Sequence, residues 1–375
     1  MSCTTPARAG IVMTLGEQRG GAELALVHFL AGVPRNRRGD FFVCYLQPGS
    51  LAEWTGAQGF PTVVIPSGRL REPWSWLRCV RGLRRWLRRN GIQVVVSWMP
   101  KGHLYAGPAA LLNGVPALWW QHGVPRNRGL DLAVTLLPAR RVLACSQAAA
   151  RAQRKVFGQR AELRTIYPPV DTDLLGRIGP AAESRASLGL PADKLIIGIV
   201  ARLQHWKGVH VLLESARELL NARQDLFFVV VGGPHPLEPE YALTLEQRSR
   251  ELRLQDHVLF TGYQANSAQW MAAMDVVVNA SFGEPFGMVI IEAMALGKAV
   301  VATRLDGPTE IITDGIDGLL VSPGSAAELT RSLQRLIEEP QLRAALGQAG
   351  RARAQSYAVP RFVLEVTNSL QETAA

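Results

Sequence analysis

Short apolar runs alternate with longer stretches of helical periodicity along most of the chain. The runs are apolar at nearly every position, as expected for strands that are buried on both faces of a parallel sheet. Most are separated by ten or more residues of helical pattern, so strand–helix alternation predicts an α/β fold. The predicted strands are 11–15, 41–46, 62–65, 94–98, 117–120 and 142–144 in the first half, and 195–201, 227–231, 258–260, 276–279, 299–302 and 319–321 in the second.

The two sets of strands predict two Rossmann-like parallel-sheet domains. A chain of 375 residues is long for a single core. Pro, Gly and Ala cluster at 168–190, which marks the join. We therefore predict a first domain at 1–172, a second at 173–355 and a terminal helical segment at 356–375. Ligands of open α/β sheets bind outside the carboxyl ends of the strands, so we expect the site in a cleft between the two sheets.

Residues 281–297 carry the most informative chemistry. Glu284 lies between Gly283 and Pro285, which are typical of a loop. The apolar run 288–296 predicts a helix, with Glu292 just over one turn inside it. A helix N-terminus has free N–H groups and a positive dipole end that favour phosphate, and carboxylates accept hydrogen bonds from sugar hydroxyls. The stretch therefore predicts a sugar–phosphate site.

This stretch resembles the matching motif of the retaining glycosyltransferases of family 4, which have the GT-B fold. Other pieces of the family pattern stand in the same order between about residues 10 and 355. They are Gly20-Gly21-Ala22-Glu23, Gln121-His122-Gly123, Ala201-Arg202-Leu203 with Lys207-Gly208, Gly232-Gly233-Pro234, and Gly307-Pro308-Thr309-Glu310 with Asp317-Gly318.

The resemblance implies two domains that face each other across a cleft, with the helix of 356–375 packing back on the first domain. It also implies transfer of a hexose from a nucleotide-diphosphate sugar to a glycan or lipid-linked acceptor, as in polysaccharide or lipopolysaccharide biosynthesis. The donor would bind the second domain and the acceptor the first. No metal and no cofactor beyond the nucleotide sugar, such as a UDP- or GDP-hexose, is expected.

The resemblance also assigns roles to individual residues. Arg202 and Lys207 would bind the diphosphate, Glu292 the ribose, and Glu284 and His122 the transferred sugar. The predicted catalytic residues are Glu284, His122, Arg202 and Lys207. The predicted donor-binding residues are Gly20, Gly21, Arg202, Lys207, Gly232, Phe286, Gly287, Met288 and Glu292.

Three further positions allow two interpretations each. Lys101 and His103 follow a predicted strand and are candidates to meet the acceptor, but an ordinary loop role fits them equally well. Asp171-Thr172-Asp173 has the spacing of a metal-bound sugar–nucleotide site. Because it lies at the predicted domain join, we interpret it as structural.

Charge is unevenly distributed along the chain. Residues 1–170 contain 23 Lys and Arg against 7 Asp and Glu, whereas the rest contain 18 against 24. A basic half favours an anionic partner such as a membrane surface or a phosphorylated acceptor. The segment 74–89 fits a helix with an apolar face, which we expect to be core, and an arginine face, which we expect to contact lipid head groups. That arginine face comprises Arg78, Arg81, Arg85 and Arg88.

Composition bounds the location and the redox chemistry. No apolar run approaches the roughly 18 residues of a membrane span, and the first residues do not resemble a signal peptide. We therefore expect a cytoplasmic protein that is peripheral on the inner face of the membrane. Cys3, Cys44, Cys79 and Cys145 are far apart, which favours reduced structural thiols over a metal site.

Other classes of protein account for fewer of these features. A nucleotide-sugar epimerase of similar architecture would need no acceptor, and an inactive sugar–nucleotide binder would not need Glu284, Glu292, Arg202 and Lys207 intact. A nucleic-acid-binding protein is disfavoured by the acidic second half. The sequence also lacks a phosphate-binding loop of the kinase type and the dinucleotide Gly-x-Gly-x-x-Gly.

Overall fold

A computed structural model describes residues 7–17, 20–69 and 71–375. It divides into two compact units, one formed by Met1–Pro169 with Val359–Ala375 and the other by Val170–Ala358. We call these the first and the second unit. Cys3 lies outside the described residues.

The first unit is built on a parallel sheet whose described strands follow the order β3-β2-β1-β4-β5-β6-β7. Chain order reverses between β1 and β4, which pair directly. The strands are β1 (Ala9–Met13), β2 (Phe41–Tyr45), β3 (Thr62–Val64), β4 (Val94–Ser97), β5 (Ala117–Gln121), β6 (Arg141–Ala144) and β7 (Glu162–Thr165).

The second unit contains another parallel sheet, with its described strands in the order β10-β9-β8-β11-β12-β13. Here chain order reverses between β8 and β11, and Val276 of β11 lies beside Ile197 of β8. The strands are β8 (Leu195–Val200), β9 (Leu226–Val231), β10 (Val258–Phe260), β11 (Val276–Asn279), β12 (Ala299–Thr303) and β13 (Leu319–Val321). The predicted α/β fold with two parallel sheets is confirmed.

Helices connect the strands in both units. Those of the first unit are α1 (Gly21–Gly32), α2 (Ser50–Ala57), α3 (Pro73–Arg89), α4 (Pro100–Leu111), α5 (Gly129–Thr135) and α6 (Gln147–Arg154). Those of the second are α7 (Thr172–Gly176), α8 (Ala181–Leu188), α9 (Val209–Ala222), α10 (Glu240–Glu251), α11 (Ser267–Ala273), α12 (Met288–Ala295), α13 (Pro308–Ile311), α14 (Ala326–Glu338) and α15 (Pro340–Ala354). Short 3-10 turns occupy Arg35–Asp40, His205–Lys207 and Gln355–Tyr357.

One further helix, α16 (Val359–Ala374), follows the second unit in the chain but belongs to the first. Its buried side chains Phe362, Val366 and Leu370 join the core that contains Trp98 and Trp120. An ion pair adds to this packing: Nη1 of Arg141 on β6 lies 2.9 Å from the carboxylate of Glu372 on α16. The first unit therefore completes its core with residues from a distant part of the chain.

Helix α3 has the two faces that the sequence predicts. Cys79, Val80, Leu83, Trp86 and Leu87 are buried, which confirms the interpretation of the apolar stripe as core. The arginines of the opposite face are exposed, and Trp74 at the start of the helix is 77% exposed. Within the described ranges, no helix combines the length and the hydropathy needed to cross a membrane.

Three cysteines are within the described residues, and all are buried. Cys44 on β2 and Cys79 on α3 have thiols whose pKa burial raises, to about 12 in the case of Cys79. Cys145 is buried directly after β6. A thiol that stays protonated is a poor nucleophile and a poor metal ligand, so these side chains serve as small core residues.

Candidate functional site

The loops that follow β8 and β11 lie side by side in the second unit. This placement follows from the sheet, because β8 and β11 are the neighbouring strands at which chain order reverses. The carboxyl ends of strands at such a reversal form the usual ligand crevice of an open α/β sheet. The first loop carries Arg202 and Lys207, and the second carries Glu284 and leads into α12.

Lys207 and Glu284 form an ion pair, with Nζ of Lys207 2.6 Å from Oε2 of Glu284. Their side chains are only 15% and 10% exposed. Nζ also lies 4.0 Å from the ring centroid of Trp206, within the range of a cation–π contact. The sequence predicted separate ligands for the two residues, and the structure shows them in direct contact.

Glu284 is buried, although it stands in a Gly-Pro loop of the kind that is usually exposed. Its Oε2 accepts hydrogen bonds from Ser281 Oγ at 3.1 Å and from Asn279 Nδ2 at 3.3 Å. The backbone N–H of Gly307 donates to the carbonyl oxygen of Glu284 at 3.0 Å. The protein itself therefore fixes the orientation of this carboxylate.

Arg202 is exposed at the mouth of the same region. Its Nη1 lies 3.2 Å from Nε2 of His235, which follows β9. The loop between Arg202 and Lys207 is anchored by Glu238, whose carboxylate accepts from the backbone N–H of His205 at 2.8 Å and from Gln204 Nε2 at 3.1 Å. Gly232 at the end of β9 donates its N–H to the carbonyl of Gly262. The guanidinium thus faces solvent from a loop that is tied to its neighbours.

Helix α12 begins directly after this loop, at Met288. Its N-cap is Gly287 with φ +113°, in the region that favours glycine, and among the described residues no side chain caps the first turn. Phe286 is buried just before it. A first turn without a side-chain cap has backbone N–H groups that are suited to bind an anion.

Glu292 is half-buried one turn into α12. Burial raises the pKa of this carboxyl to about 7, and within the described part of the chain no hydrogen bond or ion pair reaches its oxygens. Its environment disfavours the charged form. Ligand hydroxyl groups that donate to Glu292 would supply the stabilisation that the protein does not.

His122 belongs to the first unit and follows β5. Its Nε2 lies 2.8 Å from the carbonyl oxygen of Trp98, and its ring stacks on Trp120 with 5.3 Å between centroids. Burial lowers the pKa of His122 to about 4. The ring is therefore neutral near pH 7, with a protonated Nε2 that donates a hydrogen bond to the carbonyl oxygen of Trp98 and an unprotonated Nδ1 that can accept one.

The other predicted residues of the first unit lie near its own strand-order reversal. Gly20 caps the N-terminus of α1, and Gly21 is the first residue of that helix. Lys101 is half-exposed in the first turn of α4. The roles of these residues in ligand binding remain predictions.

The prediction for His103 needs correction. Its side chain is fully buried, and its ring nitrogens lie 3.4 Å from Ser97 Oγ and 3.2 Å from the carbonyl oxygen of Pro138. Burial lowers its pKa to about 4. Both nitrogens are thus used inside the core, so His103 is a structural residue that cannot meet an acceptor in this conformation.

Asp171 has the structural role that the sequence predicts. Its Oδ1 accepts from the backbone N–H of Leu174 at 2.9 Å and so caps α7. Across the residues that the structure describes, no group of three or more His, Cys, Asp and Glu side chains has the arrangement of a metal site.

Several residues around the ion pair were not predicted. Asn279, Ser281, Trp206 and Glu238 all contact Lys207, Glu284 or the loops that carry them. The available signal was the position of Asn279 and Ser281 at the end of a predicted strand, where ligand-facing polar residues of α/β sheets are common. For Glu238 and Trp206 the sequence offers no comparable signal.

Both halves of the chain match family models. Residues 19–174 match the model described as Glycosyltransferase Family 4, and residues 181–353 match Glycosyl transferases group 1. The first match lies in the first unit except for its last five residues, and the second match lies within the second unit.

Similar proteins include curated enzymes and solved structures. A D-inositol 3-phosphate glycosyltransferase of Saccharomonospora viridis is 31% identical over 266 residues, covering 65% of this chain and 62% of that protein. The match thus spans less than two thirds of the relative. The lipopolysaccharide core biosynthesis glycosyltransferase LpsE of Rhizobium meliloti is 31% identical over 52% of this chain and 53% of its own length. The crystal structure of Anabaena HepE in complex with UDP-glucose is 26% identical, with a TM-score of 0.85 over 97% of this chain and 99% of that one.

Proposed function

Because the chain belongs to glycosyltransferase family 4 and has the GT-B fold, we propose that it is a retaining hexosyltransferase. In this proposal it moves a hexose from a nucleotide-diphosphate sugar to a glycan or lipid-linked acceptor. The acceptor binds the first unit and the donor binds the second. Metal is not required, because protein cations and backbone N–H groups supply the positive field.

One observation carries the proposal. The loops after β8 and β11 bring Lys207 within 2.6 Å of Glu284 and place the uncapped start of α12 beside them. Cations and free N–H groups are what a diphosphate needs, and a fixed carboxylate is what sugar hydroxyls need. The two requirements of a nucleotide sugar are therefore met by adjacent parts of the second unit.

Transfer breaks the bond between the anomeric carbon and the diphosphate oxygen. The acceptor hydroxyl oxygen forms its bond to that carbon on the same face, and its proton passes to the leaving diphosphate. Arg202, Lys207 and the N-terminus of α12 stabilise the negative charge that develops on the diphosphate. Glu284 accepts hydrogen bonds from the sugar hydroxyls and holds the hexose in place on the second unit.

We propose UDP as the nucleotide, because the HepE structures hold UDP, UDP-glucose, or UDP with glucose. Glu292, to which no described residue donates a hydrogen bond, takes the ribose hydroxyls. An acceptor of sugar–phosphate or lipopolysaccharide type agrees with the relatives and with the excess of positive charge in residues 1–170.

The arginine face of α3 supports peripheral binding to anionic lipid. Arg78, Arg81, Arg85 and Arg88 are exposed on one helix, and the exposed Trp74 stands at its start. Cations with an interfacial tryptophan are typical of helices that lie on membranes. The enzyme would then meet a lipid-linked acceptor at the inner face of the membrane.

The test is a two-step measurement on the purified chain. Calorimetry with UDP, GDP and UDP-hexoses identifies the donor, with Lys207→Ala as the site variant and Lys194→Ala as the control. NMR then follows the donor with candidate acceptors and reads the anomeric configuration of the product. A retained configuration supports the proposal, whereas an inverted product, or an altered nucleotide sugar formed without acceptor, contradicts it.

A further inference from the structure

The two loops that carry Lys207 and Glu284 are joined by an aromatic stack at their outer side. The rings of His205 and His210 lie 4.7 Å apart at 23°, and the ring of Phe282 lies 5.6 Å from His210 at 11° and 5.9 Å from His205 at 20°. His205 precedes Lys207 by two residues, and Phe282 precedes Glu284 by two. The stack therefore links one member of each loop.

Backbone contacts fix the same junction. The N–H of Phe282 donates to the carbonyl oxygen of Trp206 at 2.7 Å. Gly208 has φ +69°, and a side chain there would collide with the carbonyl oxygen of Ala280. The two loops thus approach as closely as backbones can, and the direction of each side chain depends on how they are held.

The stack is enclosed on both sides. Tyr241 of α10 places its hydroxyl 2.7 Å from Nδ1 of His210. On the other side, Phe282 packs against Gly324, where a Cβ would come within 2.8 Å of the Phe282 ring. Burial is the main cause that lowers the pKa of His210, and the nearby His205 lowers it further. The neutral ring is therefore favoured, and it stacks without like-charge repulsion.

Phe282 is nevertheless 43% exposed, so hydrophobic burial alone does not account for its position. A loop residue of this kind adds little to the core. Through its stacking on His205 and His210, the ring holds the loop of Glu284 against the turn that carries Lys207.

We propose that Phe282, stacked on His205 and His210, is a positioning residue that sets the direction of Lys207 toward the donor diphosphate. This rests on the proposed function, since it assigns Phe282 an effect that acts through Lys207. Phe282 itself needs no contact with the ligand. Loss of its ring frees the turn at His205–Lys207 and misdirects the ammonium group.

The experiment is a double-mutant cycle read by calorimetry with UDP. Phe282→Ala and Phe282→Leu should each weaken UDP binding about tenfold, because neither side chain has a flat ring. Phe282→Tyr keeps the ring and should bind UDP within about twofold of the wild type. In a Lys207→Ala background, Phe282→Ala should cause no further loss, since residues that act as a unit are not additive. Leu243→Ala, an exposed apolar truncation on α10, is the control and should bind UDP normally.

The outcomes separate the two claims. If the losses of Phe282→Ala and Lys207→Ala add, or if Phe282→Leu binds as well as the wild type, the positioning role is wrong. If the folded wild type binds neither UDP nor GDP, the proposed function fails instead. Circular dichroism and Tm of each variant confirm that the comparison is made between folded proteins.

Discussion

Glu284 neutralises Lys207, the cation expected to bind the donor diphosphate, through a contact of 2.6 Å between side chains that are 77 positions apart in the chain. A phosphate group of the donor would compete with this carboxylate for the same ammonium group. Binding of the donor must therefore share or replace this ion pair, and the two residues should respond to mutation in opposite ways.

Glu284→Gln should leave the affinity for UDP unchanged or increase it, because it removes the competing charge from Lys207. Sugar transfer should fall by about tenfold or more, since the carboxylate that holds the sugar is lost. Calorimetry with UDP and initial rates with the preferred donor measure the two effects. Glu214→Gln, at an exposed ion pair with Arg248, is the control. A loss of UDP affinity as large as that of Lys207→Ala would contradict this division of roles.

Lys207→Ala should weaken UDP binding by roughly 1.5–3 kcal/mol, the value of a charge-assisted hydrogen bond. It should also lower the Tm, because Glu284 is left buried with its charge unpaired. Arg202→Ala should weaken UDP binding without the loss of stability, since Arg202 is exposed. Differential scanning fluorimetry beside calorimetry tests the contrast. Equal changes of Tm in the two variants would show that the ion pair does not stabilise the fold.

The raised pKa of Glu292 predicts that the stability of the folded protein depends on pH. Burial raises its pKa to about 7, so between its ordinary value of about 4.3 and 7 the folded protein binds more protons than the unfolded chain. Ionisation of Glu292 therefore lowers the free energy of unfolding as pH rises through that window, and the full loss is reached above pH 7. Glu292→Gln should therefore raise the Tm at pH 8 and have little effect at pH 5. A Tm difference that does not change with pH would contradict the shifted pKa.

The same carboxyl should release a proton when the donor nucleotide binds. Ribose hydroxyls that donate to Glu292 stabilise its charged form and lower its pKa. At pH 7, the enthalpy of UDP binding should therefore depend on the ionisation enthalpy of the buffer. Glu292→Gln should abolish that dependence and lower the affinity. If the variant keeps the buffer dependence, another group is the source of the proton.

His122 should remain neutral throughout the range in which the enzyme is assayed. Its pKa of about 4 follows from burial, and Nε2 is engaged with the carbonyl of Trp98. Nitrogen-15 NMR should show Nε2 protonated and Nδ1 unprotonated from pH 5.5 to 8, with the signal assigned by its absence in His122→Gln. Titration near pH 6.5 would mean that the ring is solvent-exposed and that its fixed tautomer is wrong.

Replacing Arg81, Arg85 and Arg88 of α3 by Gln should reduce binding to vesicles that contain anionic lipid. Each cation near the surface contributes roughly 1 kcal/mol, and salt screens the attraction. Fold and UDP affinity should be kept, because these side chains are exposed. The control is a variant in which Arg250, Arg331 and Arg335 are replaced by Gln, which removes the same charge from exposed positions of the second unit. This control should bind the vesicles as the wild type does. Wild-type protein that ignores anionic vesicles at low salt would exclude the membrane hypothesis.

Hydrophobic pattern was sufficient to predict most of the sheets. Each predicted strand coincides with an observed one, with ends that differ by at most two residues. The strand that was missed, β7 at Glu162–Thr165, has the sequence Glu-Leu-Arg-Thr and lies at the sheet edge, where polar residues are tolerated. A pattern of buried residues cannot identify a strand that is not buried.

The candidate site was predictable as residue types but not as contacts. The order of the motifs pointed to Lys207 and Glu284, whereas their ion pair depends on the pairing of β8 with β11, which the sequence does not state. His103 shows the converse problem. A histidine near the end of a strand has the same sequence signal whether it faces a ligand or, as here, packs in the core.

The place of α16 bears on how the protein is made. During translation the residues of the second unit, Val170–Ala358, emerge as one uninterrupted segment and can fold as soon as they leave the ribosome. The first unit is synthesised earlier but must wait, because Phe362, Val366 and Leu370 are required to cover Phe29, Trp98 and Trp120. The half of the protein that is made first is thus completed last. Until α16 is available, the aromatic core around Trp98 and Trp120 lacks the ring of Phe362 that packs against it.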